Sequence, residues 1–355
     1  MTDASFLQRL ALPMAAPAMA LGLLAAGPGQ AETLRVGYYI GESHPLAAHG
    51  IRPFMEEVRE RTNGAIDFQV FPAGQLFSPG DAIRMMQSGV VDIGLIVMVY
   101  HREEFPLSQA ITLPLGWETW AVTNTFMRAS INDGLIRDEW ERNGMVPIMF
   151  GTNAPYEIHT ANTPLPDLSS IAGMQIRSPG GVYDNVFSAM GAVPVAIPTP
   201  ETYSAIERGT IDASVYAFSN WAGLNLNEVL RHTTLNSGIP GPGGLTFAIS
   251  SSAYERLTPE QREIILEAGR AASISSQTAI VEMNESALEQ YRADGLNVYE
   301  WSDEDLQVVR GAFDAIRDQW VASQDAAGRQ GAEALAQLLR FHEQAADNPT
   351  ELPER

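Results

Sequence analysis

The chain has 355 residues, no cysteine, and 22 basic residues that are all arginine. Without cysteine there is no thiolate nucleophile, dithiol pair, thiolate zinc site or disulfide. Without lysine there is no Schiff base and no P-loop lysine. The six histidines (His44, His49, His101, His159, His232 and His342) form no HExxH pair, and His44 and His49 stand five apart, off the spacing that shares a helix face. The sequence contains no GxSxG elbow, and Gly241-Pro242-Gly243-Gly244 reads as a turn rather than a dinucleotide loop. No catalytic set, metal site or cofactor site assembles. The residues worth following are those that could bind.

Arg177 leads them. Gly173-Met174-Gln175-Ile176-Arg177-Ser178-Pro179 reads as a turn and a short strand with an arginine at its carboxyl end. Ligands of α/β sheets bind at such ends. A guanidinium is a planar fork that suits a carboxylate and keeps its charge when buried. Aromatic residues cluster at Tyr216, Phe218 and Trp221, with Asn220 between them, and earlier at Tyr100, Trp117 and Trp120. With His44 at the polar end of the first strand, they could wall a small-molecule pocket. Ordinary core is the competing reading for Trp120 and Phe218.

These residues need elements to position them. Thr33 to Tyr39 alternates as a strand, a helix is expected from about Leu46 to Arg61, and Asn63-Gly64 stops it before the strand Ile66–Phe71. An internal match is more informative. Asp81 to Asp92 and Glu201 to Asp212 each run acidic residue, apolar helix, glycine eight residues on and aspartate three later, then an apolar strand: Ile93 to Val99 and Ala213 to Phe218. Such a helix-Gly-strand unit is common, but twelve positions in register favour two similarly built lobes with a cleft between them. Thr258 and Pro259 open a long helix towards Tyr291, Ser302 caps another to about Gln324, and Gly331 to Ala346 forms a last amphipathic helix before a polar tail.

Composition sets outer limits. With 43 acidic residues the formal charge is −21, which argues against nucleic acid and against anionic membrane surfaces. Residues 1–31 read as a signal peptide cleaved near Ala31: Arg9, an apolar run from Leu10 to Ala26 broken by Pro13 and Pro17, and small residues before the cut. No later stretch reaches a transmembrane length, so no stable membrane insertion is expected after cleavage.

The ordered set of motifs resembles the extracytoplasmic solute receptors of tripartite ATP-independent periplasmic (TRAP) transporters. It comprises Phe71-Pro72-Ala73-Gly74-Gln75-Leu76, Gln87-Ser88-Gly89-Val90-Val91-Asp92, Phe105-Pro106-Leu107 leading to Leu113-Pro114, Ile171 to Arg177, Met190-Gly191-Ala192-Val193-Pro194, and Glu201-Thr202-Tyr203 through Asp212. The resemblance implies an α/β, two-lobed clamshell of the periplasmic-binding-protein type, with hinge strands and a long lobe-spanning helix. It implies a periplasmic location and closure on a small organic acid, handed to membrane permease subunits driven by an ion gradient. It implies that Arg177 binds the ligand carboxylate, that Tyr216 lines the pocket, and that Thr199 or Pro200 contributes. Where sialic-acid-type members carry asparagine, this chain has Tyr216. Where they carry a second arginine it has only Tyr156-Glu157-Ile158-His159, and Val97 and Met98 replace a glutamate. A sugar acid is therefore disfavoured against a smaller or more apolar monocarboxylate, aromatic acids included. The expected division is residues 32–155 plus about 243–283 in one lobe, and 156–242 plus about 284–355 in the other. A receptor that presents its ligand to a signalling partner is an alternative. An exported hydrolase or isomerase is another, but it lacks a paired base and nucleophile.

Overall fold

Alternating and apolar runs pair into two sheets in the computed structural model, which describes residues 31–117, 119–239, 241 and 243–347. The expected signal peptide, apart from Ala31, and the polar tail lie outside these residues. In chain order the first part runs β1 (Glu32–Gly37), α1 (Arg52–Arg61), β2 (Ile66–Phe71), α2 (Ala82–Gln87), β3 (Ile93–Val97), α3 (Thr119–Ile131), α4 (Leu135–Arg142) and β4 (Met145–Gly151). Next come β5 (Glu157–Thr160), β6 (Gln175–Ser178), α5 (Val182–Ala189), β7 (Val193–Ala196), α6 (Thr202–Glu207), β8 (Ala213–Tyr216) and β9 (His232–Leu235). The chain ends with β10 (Leu245–Ser250), α7 (Ser251–Arg256), α8 (Pro259–Ala293), β11 (Asn297–Glu300), α9 (Asp303–Ala326) and α10 (Gly331–Asp347).

One sheet has the order β2-β1-β3-β10-β4, the other β11-β9-β5-β8-β6-β7. The protein is thus two-lobed, and the chain crosses between the sheets at 152–156 and again at 236–244. Helix α8 joins the lobes along its length. Its capping box at Thr258 and Gln261 and its first-turn Pro259 start it. Ser273 Oγ then accepts from Phe150 N–H at 2.9 Å, and Gln277 Oε1 accepts from Thr123 Oγ1 and Thr152 N–H at 2.6 and 3.2 Å. Further on, the helix lies against the 218–220 turn of the second lobe.

The internal match is structural. Gly89 (φ 70°) and Gly209 (φ 68°) both take the left-handed conformation that ends α2 and α6. Asp92 N–H then donates to Arg35 O at 2.9 Å, and Asp212 N–H to Gln175 O at 2.8 Å. Each aspartate carboxylate returns a bond to the same residue's N–H, Arg35 at 2.9 Å and Gln175 at 2.8 Å. The same stitch therefore fastens β3 to β1 and β8 to β6.

Three expectations change. The helix expected from Leu46 begins as a π-helical turn, Ala47–Ile51, and becomes α-helical at Arg52. Pro53 has no N–H to give to the preceding turn, which accounts for the break in the ladder. The strands expected to reach Val99 and Phe218 stop at Val97 and Tyr216, and single 3₁₀ turns follow at Met98–Tyr100 and Phe218–Asn220. Residues 284–355, assigned from sequence to the second lobe, do not all remain there. Helix α9 packs on α5, but α10 crosses to α3 of the first lobe. Gln337 Nε2 donates to Asp133 O at 3.2 Å in that contact.

Candidate functional site

The strand ends of both sheets meet at a cavity of about 40 Å³ between the lobes. The first lobe supplies Tyr39, Ile40, His44, Leu95, Val97, Val99, Tyr100 and Leu245. The crossing segment supplies Asn153 and Tyr156, and the second lobe Arg177, Pro179, Thr199, Tyr216, Asn220 and Leu224. Most of this wall is apolar or phenolic.

Arg177 sits at the carboxyl end of β6 and is 1% exposed. Its Nε donates to Ile197 O at 3.0 Å, and Nη2 to Tyr100 Oη at 3.3 Å and Thr199 Oγ1 at 3.2 Å. Nη1 has no hydrogen-bond partner among the described residues. The guanidinium lies 4.7 Å from the centre of the Tyr216 ring, a cation–π contact. No carboxylate pairs with it among the described residues, whereas arginines at the surface pair with acids, as Arg59 does with Asp67 and Arg84 with Asp81. Burial opposes its charge, but the phenols of Tyr216, Tyr100 and Tyr156 outweigh that and raise its pKa. It is a cation at any working pH. A guanidinium removed from water without an anion beside it is costly.

The phenols of Tyr39, Tyr156 and Tyr216 stay protonated. Burial raises the pKa values of Tyr39, Tyr156 and Tyr216. Tyr216 Oη pairs with Thr202 Oγ1 at 2.7 Å, and Tyr100 Oη with Thr199 Oγ1 at 3.2 Å. The second of these contacts bridges the lobes, as does Asn220 to His44 at 3.0 Å. His44 is neutral, its pKa lowered to about 4 by burial.

Arg177, Tyr216, Tyr100, Thr199, His44, Asn220 and Val97 therefore come together around one cavity. Three expected residues do not. Trp117 stacks on His342 of α10, 4.1 Å between ring centres, because that helix crosses to the first lobe. Phe218 and Trp221 point behind the site from the turn that ends β8, and both rings pack on His159, at 5.3 and 4.7 Å. Trp221 also stacks on Tyr291 of α8 at 4.9 Å. His159 in turn donates from Nε2 to Tyr216 O at 2.9 Å, at the end of β8. Of Thr199 and Pro200, only Thr199 lines the cavity, and Met98 faces away while Val97 and Val99 line it. Tyr39, Asn153 and Tyr156 were missed. Tyr39 follows the carboxyl end of β1, so the rule that singled out Arg177 could have found it. Asn153 and Tyr156 are placed by the crossing between lobes, which carries no local motif.

Among the described residues there is no group of three histidines and acids that could hold a metal ion. Nor is any helix among them long and apolar enough to cross a membrane.

Comparison with known proteins places this geometry. Residues 36–324 match the family model of bacterial extracellular solute-binding proteins, family 7. The C4-dicarboxylate-binding periplasmic protein DctP of Rhodobacter capsulatus is 25% identical over 331 residues, covering 90% of this chain and 94% of that protein. A marine-metagenome TRAP solute-binding protein specific for aromatic acids, solved with 3-hydroxybenzoate, superposes with a TM-score of 0.81 at 22% identity, covering 89% of this chain and 99% of that one. A TRAP solute-binding protein of Rhodoferax ferrireducens with copurified benzoate gives 0.78 at 19% identity, covering 89% and 98%. Fold, motifs and the match over residues 36–324 agree: the chain belongs to the bacterial extracellular solute-binding proteins of family 7, the DctP family, whose members are receptors and not enzymes.

Proposed function

We propose that this protein is the periplasmic receptor of a TRAP transporter, and that it captures a small monocarboxylate with an apolar or aromatic body between its lobes. The observation that carries the reading is the buried Arg177 guanidinium, with Nη1 unpartnered among the described residues and no carboxylate beside it. The ligand carboxylate would dock on Arg177 while the lobes are open, and closure would then strip water from the pair. A charge-assisted contact strengthens as its surroundings become drier. Among the described residues Arg177 is the one arginine lining the cavity, and His44 is neutral, so a second ligand carboxylate would enter without a counterion. This favours monocarboxylates over the dicarboxylates named for the Rhodobacter relative. The phenols and aliphatic side chains favour an aromatic or branched body, as in the aromatic-acid neighbour.

Export with cleavage near Ala31, and delivery of the ligand to ion-gradient-driven permease subunits, belong to the same proposal. Binding is tested by thermal melting of the mature protein, unfolded and refolded to remove copurified ligand, against small carboxylates, sugar acids and neutral solutes. A ligand at 100 times its dissociation constant adds about 2.7 kcal/mol, a shift of a few degrees. A shift confined to monocarboxylates and lost in Arg177→Ala supports the reading. An equal shift in both proteins contradicts it.

A further inference from the structure

A second hollow, of about 370 Å³, lies between the lobes and shares no described lining residue with the cavity around Arg177. That volume falls in the range of small-molecule sites. The first lobe supplies Arg102 and Gln109, and the second supplies the start of α5 with Asn185, and Gln319 and Ser323 of α9. In a chain with 43 acidic residues, Arg102 carries the one formal charge among the described residues of this wall. Glu103 and Glu104, its neighbours in sequence, line a different hollow. No hydrogen bond or ion pair engages the Arg102 guanidinium among the described residues. Its side chain reaches the second lobe: Nη2 lies 3.8 Å from the place a β-carbon would take at Gly180, and Cδ 3.7 Å from that at Gly181. Gly181 is the N-cap of α5. The first N–H groups of a helix have no acceptor within it and carry partial positive charge.

Gln109 supplies an independent sign of a ligand. It is 5% exposed, and its Nε2 donates to Met98 O. Turned the other way, the amide would set two oxygens face to face, so its orientation is fixed. Oε1 is left without a hydrogen-bond partner among the described residues, 3.8 Å from the β-carbon position at Gly181, where that residue lines the hollow. Met98 in turn begins the turn that presents Val99 and Tyr100 to the Arg177 cavity. One side chain therefore stands between the two sites.

We propose that this hollow binds a second organic anion, a carboxylate carrying several hydroxyl groups, and that its occupancy favours closure. The carboxylate meets Arg102 and the start of α5, and a hydroxyl donates to Gln109 Oε1. A bare oxyanion has no hydrogen to give that buried acceptor, which sets the class. A ligand held by both lobes binds the closed form best. Linkage then requires it to raise the affinity of the Arg177 site by the factor that the monocarboxylate raises its own. The coupling rests on the closure reading of the Arg177 site; the hollow itself does not.

The test is calorimetric titration of refolded protein with gluconate, with sorbitol, hexanoate and sulfate as controls. Gluconate should bind, and each control should bind at least about ten-fold more weakly, since none offers both the charge and the hydroxyls. Arg102→Gln removes the cation and Asn185→Asp puts an anion in the wall. Both positions are exposed, and each change should weaken gluconate by about ten-fold or more. A second titration adds gluconate to protein saturated with the monocarboxylate that gives the largest melting shift. Gluconate should then bind about five-fold or more tightly than to the free protein. Weaker binding there would mean competition for the Arg177 cleft, and unchanged binding would mean no coupling; either overturns the proposal and leaves the carboxylate reading standing. Failure of gluconate to bind, controls that bind as well, or an affinity that survives both substitutions overturns it too. If no monocarboxylate binds, the carboxylate reading fails, and the first titration with its two variants still decides the second site.

Discussion

Val36 pairs with Ile93 in the first sheet as Ile176 pairs with Ala213 in the second, so Gly37 and Arg177 hold matching places in the two lobes. The frame around them is the same: a left-handed glycine, an aspartate stitched to the neighbouring strand, and an apolar strand that enters the cavity. The occupants differ. At Gly37 a side chain would collide with Phe77, whose ring carbon lies 2.6 Å from where the β-carbon would be, so that place is filled by core packing. At Arg177 the same place opens on the cavity. The first lobe contributes phenols and aliphatic wall, the second contributes charge. One frame can therefore serve two tasks, and the choice between them is made by a few residues at the strand ends.

The largest expected effect is at the charged end. Arg177→Ala should weaken carboxylate binding by roughly tens- to thousands-fold, about 2–5 kcal/mol. Arg177→Lys should also bind poorly, since a point charge cannot reproduce the fork. Calorimetric titration reads both. The stitches themselves differ in a way stability measurements can sharpen. Asp92 holds Arg35 by backbone and side chain and also takes a bond from Arg256 at 3.1 Å, whereas Asp212 holds only the Gln175 N–H among the described residues. In urea titrations Asp92→Ala should lose about 2 kcal/mol, and Asp212→Ala clearly less.

The expectation for pH comes from the second lobe. Glu157 accepts from Asn236 N–H and Ser237 N–H at 2.9 and 3.0 Å, yet burial outweighs these bonds and pushes its pKa up to about 7. In the unfolded chain it titrates near about 4.3. Because the folded pKa is the higher, the folded state takes up a proton first, and this group adds stability as pH falls from about 7 towards the unfolded value. Glu157→Gln should therefore gain more in Tm over wild type at pH 8 than at pH 5. A smaller effect belongs to the first lobe. Tyr100→Phe removes the hydroxyl that meets both Arg177 and Thr199, and should weaken binding about three- to ten-fold. The smallest is kinetic: with a net charge of −21, capture of an anion should quicken modestly between low and high salt in stopped-flow measurements.

Much of the frame was legible in the sequence because local chemistry sets it. The glycines at 89 and 209 stop helices, the aspartates follow at a fixed distance, and Thr258-Pro259 starts α8. Arg177 was legible because a strand-end arginine is conspicuous against an apolar run. What failed was direction. The turns after Val97 and Tyr216 swing Tyr100 and Asn220 into the cleft and turn Phe218 and Trp221 away, and a reading that continued both strands could not tell them apart. Trp117 was misplaced because its partner, His342, arrives from 225 residues further along the chain. Asn153 and Tyr156 reach the site only because the chain crosses there.

The central claim is that Arg177 is the anion anchor of a closing cleft. A crystal structure of the refolded protein with the tightest-binding monocarboxylate tests it most directly. The account predicts closed lobes, the ligand carboxylate within hydrogen-bond distance of Arg177 Nη1, and the ligand body against Tyr216, Tyr39 and Val97. A carboxylate bound elsewhere, or one held by backbone N–H groups with Arg177 turned away, would contradict it.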